Sequence, residues 1–251
     1  MKKQHIFLIC LIFVIASSPS QSKELRVGLA TLDYPPFYFE TDGRFQGAAV
    51  EIAQVLATSM DHKLVFFRVP WKRLQSYLKD GSIDMMILYF KTPERSKDVL
   101  YVEIPHIQES SDLFVLRGAK SPYKGSIDDV ASFKFGNVKG YSHGKEYNDA
   151  KGLQKQEVNN EKLLLKILLN NRIDIGVGNK PVITHYAKMM GLQDKIRFLD
   201  PPIDIGSNYI AFSKARDDAQ SLADKFSQEL KAFVKTKKYQ DILSHYHFTT
   251  H

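Results

Sequence analysis

Cysteine is nearly absent from this 251-residue chain, and its single cysteine, Cys10, lies in an N-terminal apolar stretch. A disulfide framework, a cysteine-based zinc site or a thiol nucleophile would need cysteines beyond that stretch. All three are therefore excluded downstream of it. The chain also lacks a Gly-x-Ser-x-Gly elbow, a His-Glu-x-x-His helix and a phosphate-binding loop, so the common hydrolase, metalloprotease and nucleotide-binding signatures are missing.

Positive charge is in only modest excess. Lysine and arginine total 35 against 28 acidic residues, which gives a formal net charge of +7. Nucleic-acid-binding domains concentrate positive charge in a dense patch. The nearest cluster here, Lys235, Lys237 and Lys238, is expected on the solvent-facing side of a late helix. We therefore expect no nucleic-acid partner, and the 43% hydrophobic content indicates a globular rather than a disordered chain.

Long apolar runs are missing too, except at the N-terminus. Lys2 and Lys3 precede an apolar run from Ile6 to Ala16, and small residues follow it as far as Ser22. The run is too short to cross a bilayer, which takes about 20 apolar residues. The order of basic, apolar and small segments is that of a secretory signal peptide. We predict a signal peptide over 1–22, cleaved after Ser20 or Ser22, and an exported protein.

The rest of the chain alternates strand-like and helix-like patterns, which is typical of an α/β protein. Strands are predicted over 25–30, 64–69, 83–89, 133–138, 173–177, 196–199 and 209–212. Helices are predicted over 49–60, 71–78, 161–170, 181–190, 222–233 and 239–245, with a further helix capped by Thr92. Two βα blocks follow one another without a flexible linker. We expect two lobes joined by strands, with a ligand site in the crevice at the carboxyl ends of the strands.

An ordered set of short motifs resembles the family 3 bacterial solute-binding proteins. In chain order the motifs are Tyr34-Pro35-Pro36-Phe37, Gly43 and Gly47 with Glu51, Gly81-x-Ile83-Asp84, Thr92-Pro93-Glu94-Arg95, and Arg172-Ile173-Asp174. The ordered set carries the resemblance, which extends from about Leu25 to Phe248. It implies a type II periplasmic-binding-protein fold, in which two lobes, each a mainly parallel sheet flanked by helices, are joined by two crossover strands. Residues 23–114 would form lobe 1, 115–207 lobe 2, and 208–251 the return segment of lobe 1.

The resemblance implies a periplasmic receptor that captures an amino acid or similar small carboxylate between its lobes and delivers it to an inner-membrane ABC permease. It implies no catalysis and no cofactor, and we expect a monomer. Two alternatives stay open: an orphan receptor that delivers its ligand to a sensor protein, and an enzyme like the cyclohexadienyl dehydratases, which act on prephenate-like acids. Such an enzyme needs a cleft acid as proton donor. Glu103 and Asp112 are candidates, beside the simpler role of solvated loop charges.

The resemblance also assigns the ligand's carboxylate to two positions. It makes Arg95 the residue that grips the α-carboxylate, and a guanidinium fork matches a carboxylate bidentately. The alternative is a surface arginine that pairs with Glu94 or Asp98. Ser142 matches a hydroxyl position that holds the same carboxylate together with backbone amides at the start of the following helix, where anions are favoured.

Other positions would wall the ligand or bind it through the main chain. Tyr34 and Trp71 match the two residues that wall the ligand side chain, although a core role is equally open for Trp71, since tryptophans are highly buried on average. The sequence departs from the family pattern at Leu88, Tyr89 and Phe90, where the family has small hydroxyl residues. Leu88 and Phe90 keep their backbone C=O and N–H groups as ligand contacts.

Two further residues depart from the pattern. Asn179 stands where the family has the acid that pairs with the ligand's ammonium, and an amide lacks the charge that roughly doubles the strength of such a bond. The ligand is therefore either a true amino acid or an acid without a free ammonium. Arg73, one turn into the helix after Trp71, has no counterpart in the histidine-binding pattern. It either binds an acidic side chain of the ligand or pairs with surface acids such as Asp80.

Overall fold

The computed structural model describes residues 23–248, so the predicted signal peptide lies outside the described residues. The strands, in chain order, are β1 (Lys23–Ala30), β2 (Phe39–Thr41), β3 (Arg44–Gln46), β4 (His62–Val69), β5 (Met85–Phe90), β6 (Val99–Tyr101), β7 (Ile107–Leu116), β8 (Lys134–Val138), β9 (Gln154–Val158), β10 (Ile175–Gly178) and β11 (Ile196–Ser213). The α-helices are α1 (Ala48–Ser59), α2 (Trp71–Asp80), α3 (Lys145–Asp149), α4 (Glu161–Leu169), α5 (Lys180–Met189), α6 (Ala219–Phe233) and α7 (Lys237–His245). None of these helices is long and apolar enough to cross a membrane.

One mixed sheet connects the two halves of the molecule, in the order β4-β1-β5-β11-β7-β10-β8-β9, with β6 paired to β11. In the first lobe β1 pairs in parallel with β4 and β5. In the second lobe β8 pairs in parallel with β9 and β10. The antiparallel pair β7 and β11 joins the two groups. This arrangement confirms the predicted two-lobed α/β fold with two crossover strands.

The return crossover is a single strand where the sequence predicted two. β11 runs for 18 residues and includes both predicted strands. Its pairing with β7 shifts register between Leu199 and Asp204, beside Pro201 and Pro202. Proline removes a ladder donor and is typical of strand ends and bulges, which is why the pattern indicated a break. The strand nevertheless continues into the first lobe, where Asn208 pairs with Phe90 of β5.

The helices of the first lobe pack as the apolar spacing predicts. α1 buries Ile52 and Leu56 on one face, and α2 buries Leu74 and Leu78. α2 ends at Gly81, whose φ of 80° lies in the left-handed region that favours glycine. Because α2 begins directly after β4 and Pro70, its first residues lie at the carboxyl ends of the parallel strands.

The segment after β5 forms less helix than the sequence predicts. The Oγ1 of Thr92 accepts a hydrogen bond from the backbone N–H of Arg95 at 3.2 Å, as a helix cap would. Only a single 3-10 turn follows, over Arg95–Lys97, and β6 begins at Val99. Arg95 therefore lies within one tight turn of the carboxyl end of β5, which fixes its backbone beside the gap between the lobes.

Candidate functional site

A cavity lies between the two lobes. Seven of the eight predicted site residues line it, namely Tyr34, Trp71, Leu88, Phe90, Arg95, Ser142 and Asn179. Six residues that the sequence did not single out complete the lining, namely Tyr38, Glu109, Ser111, Tyr141, His143 and Asn208. The eighth predicted residue, Arg73, is exposed on α2 and is not part of the lining. This position does not support the expectation that Arg73 reads a ligand side chain.

The guanidinium of Arg95 is held in the cavity by carbonyls and an aromatic ring. Its Nη1 donates to the carbonyl of Phe90 and its Nη2 to the carbonyl of Gly140, both at 3.1 Å. Its Cζ lies 4.4 Å from the ring centroid of Tyr89. Burial lowers the pKa of the guanidinium from its ordinary value. A positive charge is thus fixed in a partly desolvated position.

Neither of the predicted surface partners neutralises that charge. Asp98 pairs instead with Lys79, at 3.2 Å. Glu94 is exposed, and across residues 23–248 no carboxylate oxygen lies within salt-bridge distance of Arg95. The alternative interpretation of Arg95 as a surface ion-pair partner is therefore wrong.

The carbonyl of Phe90 serves the arginine rather than a ligand. It accepts hydrogen bonds both from Arg95 and from the hydroxyl of Tyr101, at 3.1 and 3.0 Å. A carbonyl oxygen has two lone pairs, so both are occupied. The expectation that this carbonyl binds the ligand is not supported, although the Phe90 residue still lines the cavity beside Leu88.

Aromatic rings from both lobes form one wall of the cavity. Tyr141, from the loop after β8, packs edge-on against Trp71 with ring centroids 5.1 Å apart and against Tyr34 at 6.1 Å. Tyr34 stacks on Tyr38 at 5.8 Å. Such a wall favours flat or apolar ligand groups. It places Trp71 at the cavity rather than in a core alone.

Glu109 is the one carboxyl group that lines the cavity within the described part of the chain. It lies on β7 and is only 8% exposed. The Tyr34 hydroxyl donates to its Oε1, and the Asn208 Nδ2 donates to its Oε2 at 2.7 Å. Burial raises the pKa of Glu109 to about 7, and the negative charges of Glu161 and Asp112 act in the same direction. The sequence signal that could have indicated Glu109 is its alternation with Ser111, since residues two apart in a strand lie on the same face. No strand was predicted for β7.

Asn179 is a helix cap as well as a cavity residue. Its Oδ1 accepts from the backbone N–H of Val182 at 3.3 Å, at the start of α5. Its Nδ2 donates to the backbone carbonyl of Ser110 at 3.1 Å. The side chain is 5% exposed. One lone pair of its Oδ1 and one hydrogen of its Nδ2 are therefore used within the protein.

Ser142 keeps a donor for a ligand, but the helix behind it is short. Its Oγ accepts from the Nδ2 of Asn148 at 2.8 Å, which leaves its own hydrogen free to be donated. The Oδ1 of Asn148 also accepts from the backbone N–H of His143, at 3.1 Å. α3 has only five residues. The backbone amides that were expected to bind a carboxylate here are thus partly occupied.

His143 contributes a neutral imidazole to the cavity. Its Nδ1 lies 3.4 Å from the Oγ of Ser111, while its Nε2 has no hydrogen-bond partner in residues 23–248. Burial, together with the nearby cations Lys155 and Arg95, lowers the pKa of His143 to about 4. The ring is therefore uncharged at neutral pH.

The two acids proposed from the sequence as proton donors lie elsewhere. Glu103 is exposed and pairs with Lys231 at 2.6 Å. Asp112 is buried, but it accepts from the Oγ of Ser110 and from the backbone N–H of Lys180, the first residue of α5. Neither lines the cavity. An acid in the cavity has to be Glu109.

Comparison with curated proteins finds relatives that are named for amino-acid binding. The chain is 25% identical over 230 residues to the probable amino-acid-binding protein YxeM of Bacillus subtilis, which covers 87% of this chain and 84% of YxeM. It is 23% identical over 241 residues to the arginine-binding extracellular protein ArtP of the same organism, which covers 92% of each.

Solved structures share the fold. An ancestral arginine-binding protein bound to arginine has a TM-score of 0.75 and 23% identity, covering 90% of this chain and 99% of that one. A histidine kinase sensor domain with similarity to periplasmic binding proteins has a TM-score of 0.77 and 21% identity, covering 90% and 96%. The family model of the bacterial extracellular solute-binding proteins, family 3, matches residues 25–250. The two lobes, their crossover strands and this match together show that the chain belongs to family 3 of the bacterial extracellular solute-binding proteins.

Proposed function

We propose that this protein is a periplasmic receptor that captures an amino acid between its two lobes and delivers it to an ABC permease. The observation that carries the proposal is the guanidinium of Arg95, fixed in the inter-lobe cavity without a carboxylate partner in the described chain. A buried cation without a counter-charge is costly, and a ligand carboxylate relieves that cost.

The geometry around Arg95 suits a bidentate carboxylate. A guanidinium has five N–H donors, and the two carbonyls of Phe90 and Gly140 use only two of them. The free hydroxyl hydrogen of Ser142 supplies a further donor at the same cavity. A carboxylate bound there touches the first lobe through Arg95 and the second through Ser142, so binding favours the closed arrangement of the lobes.

The family and the amino-acid-binding relatives support a permease as the partner. Delivery to a sensor protein stays the alternative of the same class. A cytoplasmic response that needs the protein but not the permease would favour the sensor.

An enzyme is the second candidate function, and Glu109 is the observation that favours it. A cavity acid with a pKa of about 7 is suited to give up a proton at neutral pH. A cyclohexadienyl dehydratase-like reaction needs such a donor. Turnover of prephenate by the purified protein, lost in Glu109→Gln, would establish this second function.

A thermal-shift panel tests the receptor function. The exported protein is heated with each of the twenty L-amino acids, with small dicarboxylates and with prephenate. A ligand at about 100 times its Kd stabilises the fold by about 2.7 kcal/mol. We expect one or more amino acids to raise the melting temperature, Arg95→Ala to abolish the shift, and Arg73→Ala, the matched exposed arginine, to keep it. If no amino acid gives a shift, or if Arg95→Ala keeps it, the proposal is wrong.

A further inference from the structure

The residue at the expected ammonium position offers an ammonium no charge and only one remaining acceptor site. Asn179 is neutral, its Oδ1 caps α5 through Val182, and its Nδ2 bonds to the carbonyl of Ser110. A zwitterionic ligand that brings its carboxylate to Arg95 still has to place a positive charge in the same closed cavity. Burying that charge without a counter-ion is strongly unfavourable. Some other group in the lining has to meet it.

Glu109 is the group with the matching chemistry. Among the described residues that line the cavity it alone is an acid. Tyr34 and Asn208, both neutral, each donate one hydrogen bond to one of its two oxygens. A carboxylate has about four lone-pair sites, so two stay open to a further donor. The two neutral donors also hold the carboxylate in one orientation.

We infer that Glu109, on the crossover strand β7, binds the α-ammonium of the ligand and takes the place of the acid that Asn179 replaces. This inference rests on the proposed amino-acid receptor and names a specificity-determining residue of that site. The ligand class is a free α-amino acid with an unsubstituted ammonium. Hydroxy, keto and N-acylated acids lack the cation that Glu109 requires.

Glu109 couples ligand binding to proton release. The groups that act on Glu109 are Tyr34 from the loop after β1, Asn208 from β11, the acid Glu161 of α4, and Asp112 of its own strand. The cation Arg95 lines the same cavity and interacts with Glu109. Burial nevertheless raises the pKa of Glu109 to about 7, so without ligand it is partly protonated near neutral pH, and an incoming ammonium favours its ionised form. Binding of an amino acid should release a fraction of a proton.

Two matched pairs of measurements test the inference. The first pair compares Glu109→Gln with Glu161→Gln, since Glu161 is an equally buried acid that accepts from Tyr141 but does not line the cavity. The second pair compares each of the twenty L-amino acids with the acid in which hydrogen replaces its amino group. Affinities come from calorimetric titration at pH 7 in phosphate and in Tris, whose different ionisation enthalpies reveal proton release.

We expect Glu109→Gln to weaken amino-acid binding about tenfold or more, because a charge-assisted hydrogen bond is lost. The same change should alter binding of the deaminated acid less than about threefold, and proton release should disappear. Glu161→Gln should change neither affinity by more than about threefold.

Three outcomes would overturn the inference. Equal losses for the amino acid and its deaminated partner would reduce Glu109 to a structural role. Unchanged amino-acid binding in Glu109→Gln, together with its loss in Arg95→Ala, would remove the ammonium site while the receptor function stands. If no member of the panel binds, the receptor function fails and the ammonium site fails with it.

Discussion

The indole nitrogen of Trp71 donates a hydrogen bond across the cavity to the backbone carbonyl of Gly140, at 3.0 Å. Gly140 follows β8 in the second lobe, whereas Trp71 begins α2 in the first. The same carbonyl also accepts from Arg95 at 3.1 Å, and the Nε2 of Gln75 approaches it at 3.4 Å. Gly140 has a φ of +80°, and a Cβ there would lie 3.4 Å from the indole ring. One glycine carbonyl therefore ties the first lobe to the second beside the ligand cavity.

Trp71→Phe should loosen this tie. The change keeps an aromatic ring beside Tyr141 but removes the only indole N–H, and a typical hydrogen bond is worth about 0.5–1.5 kcal/mol. We expect the bound amino acid to dissociate about two- to tenfold faster, as measured by stopped-flow displacement. Gln75→Met, which removes the longer bond to the same carbonyl, should have a smaller effect. A dissociation rate that stays at the wild-type value in Trp71→Phe would show that the tie does not hold the lobes closed.

Glu109→Gln should gain stability relative to the wild-type protein as the pH rises. The pKa of Glu109 is about 7 in the folded state against 4.5 for the unperturbed group, so the folded state binds more protons over that interval. Stability is therefore lost as the pH rises from about 4.5 to about 7, by about 3 kcal/mol for a shift of this size. Glutamine has no proton to lose. In urea unfolding, the free energy of unfolding of Glu109→Gln minus that of wild type should be larger at pH 8 than at pH 5.

The matched control for this profile is Glu103→Gln. Glu103 is an exposed acid that pairs with Lys231, and its removal should change stability little at either pH. If the free energies of unfolding of Glu109→Gln and wild type differ by the same amount at pH 5 and pH 8, the pKa given to Glu109 is wrong.

His106 should make the fold sensitive to acid. It is fully buried, and neither ring nitrogen has a hydrogen-bond partner in residues 23–248. Burial lowers the pKa of His106 to about 4 from 6.5, so the unfolded state binds more protons between those values. Its contribution to stability is complete above about pH 6.5 and is lost as the pH falls towards 4.

His106→Leu should therefore lose less stability than wild type between pH 7 and pH 4.5. Urea unfolding at the two pH values measures the difference. His245→Leu, at an exposed histidine of α7, should keep the wild-type acid sensitivity. If both variants respond to acid as wild type does, His106 does not carry the effect.

The sequence predicted the elements that are specified by neighbouring residues and did not predict those that depend on distant ones. α1, α2 and the position of Arg95 follow from apolar spacing, proline and glycine within a few residues of each element. β7 was not predicted because its residues Gln108–Asp112 are all polar, which is typical of a loop. β7 forms because it pairs with β11, which is far away in the sequence. The formation of a strand depends on such a partner more than on the propensity of its own residues.

The missed part of the candidate site has the same cause. Glu109 lies within that polar run, where an acid is ordinarily solvated, and only the fold buries it against Tyr34 and Asn208. Tyr141 and His143 flank Ser142, which the resemblance did single out, but the direction of their side chains depends on packing between the two lobes. The lobe boundaries at 114/115 and 207/208 and the monomeric state stay predictions.

Asn179→Asp should destabilise the fold without tightening amino-acid binding. Aspartate caps a helix about as well as asparagine, so the bond to Val182 should survive. The bond from Nδ2 to the carbonyl of Ser110 cannot, because a carboxylate oxygen would face that carbonyl instead. A buried polar group that loses its hydrogen-bond partner lowers the free energy of unfolding by about 1–3 kcal/mol. We expect a loss of stability of that size in urea unfolding, and amino-acid affinity that changes less than about threefold, because Glu109 already supplies the charge.

Asn160→Asp is the matched control for this substitution. Asn160 also caps a helix, accepting from the backbone N–H of Leu163 at 3.0 Å, and it too has a buried acid nearby, Glu161. Its hydrogen bonds within the described chain use only the oxygen that aspartate retains, and a negative charge at a helix N-terminus is favourable. Asn160→Asp should therefore be neutral or slightly stabilising. If Asn179→Asp were as stable as wild type and bound amino acids at least tenfold more tightly, the ammonium would lie at position 179 and the role given to Glu109 would be wrong.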